Sequence, residues 1–310
     1  MDDFTYYRSV SRLCFVPRLC SPQYRRKTLS SFLWSTWLRF PQSIRCRFYR
    51  FLLLFSRPSS NSPHLLRLPF GLYAKLRSSG GKDIIQEALA LQFVADYTSI
   101  PVPEVLDLFE ASSSSLDGPV MILSRIRGTP ISRISSLDAL TDDQQTKIAD
   151  VLRDWLNQLQ YLQSPYGRTL CGYLGAEFTS YRINTSTTVG PYRSQDRFHE
   201  TACCSMTSSH DPKVCALAAI IRQKRYDISF VHGNVSPENV LLDRKGVPVG
   251  LVGWECAAWM PSYWELTAGA WSVRGRAGED VWSHILVRCL PQYTDELKVE
   301  RELWKTYTPY

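Results

Sequence analysis

Apolar and polar positions alternate in two different ways along this chain. Between residues 68 and 127 the apolar residues form short runs, which predict strands over 68–76, 105–109 and 120–123. Residues 83–97 instead show the three-to-four-residue spacing of an amphipathic helix. The polar stretch 112–118 predicts the loop of a hairpin between the last two strands. This part of the chain therefore predicts a small β-rich region with one helix.

One acidic residue interrupts the apolar side of that predicted helix. Glu87 falls at helical spacing from Ile84, Leu91 and Val94, so it lies within the apolar stripe. A carboxylate there needs a partner, because an unpaired buried charge is costly. Lys75, on the preceding predicted strand, is the expected partner. The alternative is that Glu87 lies at the edge of the stripe and reaches water.

From residue 128 onward the pattern is mainly helical. Thr141 and Gln144 have the spacing of a capping box, which predicts the start of a helix. The apolar face that follows consists of Ile148, Val151, Leu152, Trp155, Leu159 and Leu162. Residues 214–224 and most of the chain after Trp264 also predict helices, whereas residues 164–213 are polar and only weakly periodic.

A hairpin is predicted inside the helical part. Residues 228–231 form a buried strand, and residues 240–243 and 249–252 form two more strands joined by a turn. If that pair is antiparallel, residue 243 faces residue 249 and residue 239 lies opposite residue 253. The hairpin would then bring residues 239 and 253 beside the loop at 232–234. Two loops that meet in this way can build a phosphate and metal site.

Charge is unevenly distributed. Residues 1–70 hold 12 Lys and Arg against 2 Asp and Glu, whereas residues 71–310 hold 24 against 27. Residues 1–66 are therefore interpreted as a basic extension, with a linker at 58–63. Three readings stay open for it: a transit peptide, an arm that binds membrane or nucleic acid, or a helix that packs on the domain with its arginines in water. The run 51–55 is too short to span a membrane, and residues 1–3 do not resemble a signal peptide.

The remaining composition excludes several classes. The apolar fraction of 44% supports a sizeable core, and the proline and glycine contents are ordinary, so the chain is neither fibrous nor mainly disordered. Nine scattered cysteines without a Cys-x-x-Cys pair argue against a zinc site or a disulfide framework. They favour a reducing compartment such as the cytoplasm.

The motifs around the hairpin resemble those of a known family. His232-Gly-Asn-Val-x-x-x-Asn239, followed by Gly-Leu-Val-Gly-Trp-Glu255, is similar to the His-Gly-Asp-Leu-x-x-x-Asn and Ile-Asp-Trp-Glu motifs of the aminoglycoside phosphotransferase family. Upstream, the strand with Lys75, the helix with Glu87, and the segments 98–103 and 120–125 resemble the family in the same order, with 98–103 as in fungal members. The likeness covers roughly residues 40–305. It implies an α+β, two-lobed protein-kinase-like fold, with a small lobe at 67–127 and a helical lobe at 128–310.

The resemblance also shows what this chain has lost. Asn234 stands where the family has the aspartate that accepts the proton of the substrate hydroxyl, and an amide cannot take that proton. Gly253 stands where the family has the aspartate that holds Mg²⁺, and glycine offers no side-chain oxygen. Among neighbouring acids, Glu238 and Glu255 are possible substitutes, and Glu255 could approach a metal if the loop bends. Asp243 lies at the far end of the predicted hairpin.

Other family positions are retained. Lys75 and Glu87 correspond to the pair that positions the nucleotide phosphates, and Ser124 lies on the segment that resembles the adenine-binding hinge. Asn239 corresponds to a metal ligand, and His232 to a histidine that braces the loop. The alternative gives Asn239 and His232 purely structural roles in a site that is a relic. The family implies ATP as cofactor, whereas the loss at Gly253 leaves Mg²⁺ in doubt.

Three functions follow as hypotheses. The first is a pseudoenzyme that binds a nucleotide without metal, a small molecule or a protein partner. The second is an active phosphotransferase that moves a phosphoryl group from ATP to a small-molecule hydroxyl. The third is an interaction protein that uses its basic N-terminal arm, although the sequence gives no strong indication of a nucleic-acid or membrane partner. Restoring acids at Asn234 and Gly253 distinguishes the first from the second.

Overall fold

The computed structural model describes residues 34, 36–59, 62–76, 82–113, 116–134, 136–202 and 211–305. The chain divides into two compact units, Met1–Ile126 and Arg127–Tyr310. Residues 1–33 of the basic extension lie outside the described residues. The sequence also favours a loop at 78–82, of which residues 78–81 lie outside the described residues and Lys82 belongs to a helix. Among the described residues, no disulfide bond joins any two of Cys46, Cys171, Cys215, Cys256 and Cys289.

The first unit is built on an antiparallel sheet with helices before and within its strand sequence. Its elements are α1 (Gln42–Leu53), β1 (Arg57–Ser59), β2 (Ser62–Arg67), β3 (Leu72–Leu76), α2 (Lys82–Tyr97), β4 (Val105–Ser113) and β5 (Leu116–Ser124). The strand order in the sheet is β1-β2-β3-β5-β4. The β-rich character predicted for this part of the chain is therefore confirmed.

Several boundaries in this unit differ from the prediction. The supposed linker at 58–63 supplies residues to β1 and β2, which pair with each other and extend the sheet. The strand predicted over 68–76 is interrupted by a 3₁₀ turn at Pro69–Gly71, where Pro69 has no N–H to give to a ladder. Within the predicted loop at 112–118, Ser112 and Ser113 instead pair in the β4–β5 ladder, because backbone groups alone make those bonds.

The helix α1 belongs to the fold of this unit. Tyr49 and Leu52 lie in a core with Ala74 and Ile122 of the sheet, so a packing helix was the correct interpretation for residues 42–53. The expectation that the arginines all lie in water was wrong for Arg45. This side chain is buried and forms an ion pair with Asp107, whose carboxylate also accepts a hydrogen bond from the Tyr49 hydroxyl at 2.9 Å.

The second unit is mainly helical with small sheets. Its helices are α3 (Ile131–Ile134), α4 (Asp142–Gln160), α5 (Gln195–Ala202), α6 (Pro212–Gln223), α7 (Trp264–Trp271), α8 (Glu279–Cys289) and α9 (Thr294–Leu303). Its strands are β6 (Thr129–Pro130), β7 (Cys171–Gly172), β8 (Phe178–Ser180), β9 (Asn184–Val189), β10 (Ile228–Val231), β11 (Val240–Leu242), β12 (Pro248–Leu251) and β13 (Ala258–Pro261). The predicted capping box forms at the start of α4, where Thr141 and Gln144 bond reciprocally.

Sheet pairing in this unit positions the loops of the candidate site. β10 pairs antiparallel with β13, and β11 lies between β12 and β6. The buried core around these strands includes Val231, Met260 and Trp264. In the part of the chain that the structure describes, no helix is long and apolar enough to cross a membrane.

Candidate functional site

In the first unit, Lys75 and Glu87 form the predicted ion pair. Lys75 lies in β3 between Leu65 of β2 and Met121 of β5, and Glu87 lies on α2. The Lys75 Nζ is 2.7 Å from Glu87 Oε2 and 2.8 Å from Oε1. The Glu87 residue is only 4% exposed. The pairing balances the buried charge of Glu87. A carboxylate on the apolar stripe of a helix requires such a partner.

Ser124, also assigned to the nucleotide site, ends β5. Its hydroxyl oxygen accepts a hydrogen bond from the Glu104 N–H at 2.8 Å, and its own N–H donates to the Glu104 carbonyl at 3.0 Å. The side chain therefore fixes the segment that enters β4. What it does for a nucleotide stays a prediction.

In the second unit, the hairpin forms with a register one residue away from the predicted one. Val240 pairs with Leu251, and the Val252 N–H donates to the Asn239 carbonyl at 2.9 Å, so residue 239 lies opposite residue 252. At the turn, Asp243 bonds with Val247 rather than facing residue 249, and a bulge next to Leu242 shifts the ladder. The Asp243 carboxylate accepts two backbone N–H groups of that turn, which holds its pKa below the usual range.

Asn239 and Gly253 nevertheless come together, as the sequence predicted. Gly253 has φ 78° and ψ 54°, a left-handed conformation that favours glycine. A Cβ at this position would lie 2.4 Å from Asn239 Oδ1, so the asparagine amide occupies the space of the missing side chain. The same amide donates from Nδ2 to the Asn234 carbonyl at 2.9 Å. Asn239 thus connects Asn234 and Gly253, the two positions where the resemblance predicts acids.

His232 is completely buried beneath the loop. Its Nε2 lies 2.9 Å from the Val252 carbonyl, and its Nδ1 accepts the Asn234 N–H at 3.2 Å. Because a carbonyl can only accept, Nε2 carries the proton and the ring is in one defined tautomer. The ring also meets Trp254 edge-on, with centroids 4.5 Å apart. These contacts tie the start of the loop to the end of β12.

The residue that sequence reasoning missed is Glu265 of α7. Its carboxylate is buried and accepts the His232 N–H at 2.6 Å and the Gly233 N–H at 3.0 Å. Burial raises the pKa of Glu265 to about 7, although the two backbone N–H groups act in the opposite direction. A charged residue inside the apolar helix Trp264–Trp271 was the available signal, because such a residue needs buried partners.

The residues at the loop do not fit a magnesium clamp. Gly253 supplies no side-chain oxygen, and Asn239 offers only its amide oxygen Oδ1, since its Nδ2 donates to the Asn234 carbonyl. Glu238 pairs with Arg276, and the partly buried Glu255 lies in the 3₁₀ turn Trp254–Cys256. Across the described ranges, no group of three or more His, Cys, Asp or Glu side chains is arranged to hold a metal ion. Mg²⁺ normally takes carboxylate and water oxygens in octahedral geometry, and this arrangement does not provide them.

Comparison with known proteins places this arrangement in a wider context. The sequence profile of the phosphotransferase enzyme family (APH) matches residues 73–290. No curated protein sequence matches the chain significantly.

Solved structures of aminoglycoside phosphotransferases share the fold. The apo form of a thermostable mutant of APH(4)-Ia is 14% identical, with 77% of this chain and 79% of that chain covered and a TM-score of 0.51. The GDP and kanamycin complex of APH(2")-IIia is 13% identical, with 84% and 88% covered and a TM-score of 0.53. A ternary complex of the APH(4)-Ia mutant with AMP-PNP and hygromycin B is 15% identical, with 80% and 82% covered and a TM-score of 0.50. The predicted α+β, kinase-like fold is confirmed.

Proposed function

The chain belongs to the phosphotransferase enzyme family, and we propose that within it this protein is a pseudoenzyme that binds a nucleotide without a metal ion. In this proposal the chain keeps the pair that positions phosphates and lacks the two acids that drive transfer. It would act as a nucleotide-dependent binding protein for a small molecule or a protein partner rather than as an efficient kinase.

The contact between Asn239 and Gly253 carries this proposal. An amide at Asn234 cannot accept the proton of an attacking hydroxyl, and loss of general-base help costs about 10²–10⁴-fold in rate. At Gly253, the Asn239 amide fills the space that an acidic side chain would take, and it bonds to the Asn234 backbone. Asn234, Asn239 and Gly253 are therefore packed against one another with no carboxylate among them, which supports loss of the metal clamp rather than its displacement.

Nucleotide binding is the part of the activity that the remaining residues support. The Lys75 ammonium is held by Glu87 and is still partly exposed, so it can meet a phosphate oxygen. Related structures contain GDP in one case and AMP-PNP in another. Ser124 contributes through its position at the end of β5, because its hydroxyl is engaged by Glu104. We assign ATP or GTP to this chain as the ligand class.

Calorimetric titration of the purified chain with ATP, with and without Mg²⁺, tests the proposal. We expect binding whose affinity changes less than about threefold when Mg²⁺ is added, since no clamp couples metal to nucleotide. The matched control is Lys75→Met with Glu87→Leu, which removes both charges together and should abolish binding. Affinity that rises by tenfold or more with Mg²⁺ contradicts the pseudoenzyme.

Restoring the acids tests the cause of the inactivity. In Asn234→Asp with Gly253→Asp, Asn239 must rotate away, and this is feasible because the obstructing atoms are the end of a flexible side chain. We expect ATP turnover in this double variant and none in the natural chain. Comparable turnover in the natural chain would instead favour an active phosphotransferase that acts on a small-molecule hydroxyl. Loss of that turnover in Glu255→Gln would then identify Glu255 as the substitute acid.

A further inference from the structure

The helix α1 has a second apolar face, distinct from the one that packs on the sheet. Tyr49 and Leu52 point into the core of the first unit. Ile44, Phe48 and Phe51 follow each other at steps of four and three residues, so they share one side of the helix. Phe55 continues the same side just beyond the helix end. We call these four residues the aromatic face.

The aromatic face is open to solvent. Ile44, Phe48, Phe51 and Phe55 are 47%, 39%, 56% and 60% exposed. Within the face, the Phe51 and Phe55 rings lie 5.3 Å apart and form one apolar surface. An exposed side of a surface helix is ordinarily polar, and a contiguous apolar patch marks an interaction site. Phe40 and Leu54, which lie before and after the helix, are also exposed.

Basic residues border the aromatic face, and acids are missing from the segment. Residues 36–55 contain four arginines and no Asp or Glu. Arg45 is buried with Asp107, whereas Arg39, Arg47 and Arg50 are exposed. Arg47 lies three residues after Ile44 and four before Phe51, so its guanidinium emerges directly beside the apolar stripe. The surface therefore combines apolar side chains with a positive rim.

We propose that the aromatic face and its arginines dock on an anionic lipid surface, with α1 lying in the plane of the membrane interface. Phenylalanine, isoleucine and leucine fit the boundary between headgroups and acyl chains, and arginine fits anionic headgroups. At 12 residues, α1 is far shorter than the ~20 that a membrane span needs, so it lies on the surface.

Charge argues against other occupants of this face. Residues 1–33 hold six Lys and Arg against two Asp, so this segment has the same sign as the surface it would cover. A second copy of the chain would likewise bring arginines against arginines. A nucleic acid would match the charge and could stack bases on the phenylalanines, but the aliphatic Ile44 and Leu54 add apolar surface that base stacking does not use. Anionic lipid satisfies both the charge and the apolar surface.

Sedimentation with lipid vesicles tests this proposal. The full chain is incubated with vesicles of phosphatidylcholine containing one third phosphatidylserine, and in parallel with pure phosphatidylcholine. We expect binding to the anionic vesicles to be at least tenfold stronger, and to fall as salt is raised. The variant Phe48→Ser with Phe51→Ser, and separately Arg47→Glu, should each reduce binding at least tenfold. All three side chains are exposed, so the fold should persist.

Matched controls lie in the second unit. Ile220→Ser removes an apolar side chain that is 60% exposed on α6, and Arg193→Glu reverses an exposed charge. Neither should change vesicle binding, and circular dichroism should be the same for every variant. The proposal is overturned if the face variants bind like the natural chain, or if removal of residues 1–33 alone abolishes binding. It is equally overturned by a dimer or a nucleic-acid complex that depends on Phe48 and Phe51 without any vesicle binding.

Discussion

The two regions that resemble the family's motifs differ in how much of the motif each one retains. The Lys75–Glu87 pair of the first unit is complete, with Nζ 2.7 Å from Oε2. The loop of the second unit has an amide at Asn234 and a glycine at Gly253, the two positions where the resemblance predicts acids. The physical cost of change explains part of this difference. Removing one member of a buried pair leaves the other charge unpaired, whereas the two loop positions are only partly buried.

The two regions give different information about function. Glu87 is buried, so stability alone would preserve its partner, and the retained pair is only a modest indication of nucleotide use. The absence of acids at Asn234 and Gly253 is the stronger indication, because these partly buried positions constrain the fold less than a buried ion pair does. Within the loop, His232, Glu265 and Trp254 form a buried scaffold, which under the proposed function carries no catalytic acid.

The largest expected effect comes from breaking the ion pair. Lys75→Met leaves Glu87 buried opposite an apolar group, and we expect a loss of about 3–5 kcal/mol in the free energy of unfolding. Combining it with Glu87→Leu should recover most of that loss. Urea unfolding measures both. If the double variant is as stable as the natural chain but no longer binds ATP, the pair is retained for its ligand and not for the fold. A Lys75→Met variant of undiminished stability would show that the pair contributes nothing.

The buried carboxyl group of Glu265 should make the free energy of unfolding depend on pH. Burial raises the folded-state pKa of Glu265 from 4.5 to about 7, so between these values the folded protein holds a proton that the unfolded chain has released. The contribution of Glu265 to the free energy of unfolding is therefore fully present below pH 4.5. It falls by roughly 3 kcal/mol as the pH rises to about 7. Unfolding of the natural chain and of Glu265→Gln across this range measures the effect. The free energy of unfolding should fall less steeply with pH in Glu265→Gln than in the natural chain. Identical slopes would contradict the raised pKa of Glu265.

Alanine substitutions at three glycines of similar φ distinguish the stability cost of backbone strain from that of steric crowding. A Cβ at Gly233 would lie 2.5 Å from the Cys256 carbonyl, one at Gly253 would meet the movable Asn239 amide, and one at Gly246 would meet nothing within 4 Å. We expect Gly233→Ala to cost about 3 kcal/mol, Gly253→Ala about 1.5 and Gly246→Ala about 1. Urea midpoints measure the order. A larger cost at Gly253 than at Gly233 would show that the Asn239 amide cannot move.

The smallest effect is expected at the position of the catalytic aspartate. Asn234→Asp changes a partly buried side chain, and we expect a stability change within about 0.5 kcal/mol. The same variant should not hydrolyse ATP, because Gly253 still supplies no metal ligand. A coupled ADP-release assay measures this. Turnover from the single substitution would mean that a metal is held by other residues.

Much of this molecule could be predicted from spacing along the chain. The start of α4 follows from the capping box at Thr141, and the partnership of Lys75 with Glu87 follows from an acid on an apolar helical stripe. The meeting of Asn239 and Gly253 follows from two strands joined by a short turn. Each of these depends on residues that lie close in sequence or on a periodicity that one element imposes.

Only the tertiary structure decided the rest, because it depends on partners far along the chain. Glu265 lies more than thirty residues from His232, and nothing local indicates that its carboxylate caps that loop. Arg45 is buried because Asp107 and Tyr49 surround it, and residues 57–59 become a strand because β2 offers them backbone bonds. Sequence patterns specify which face of an element is apolar. Which surface covers that face, and which buried charge finds a partner, is settled by the packing of elements that the chain brings together from a distance.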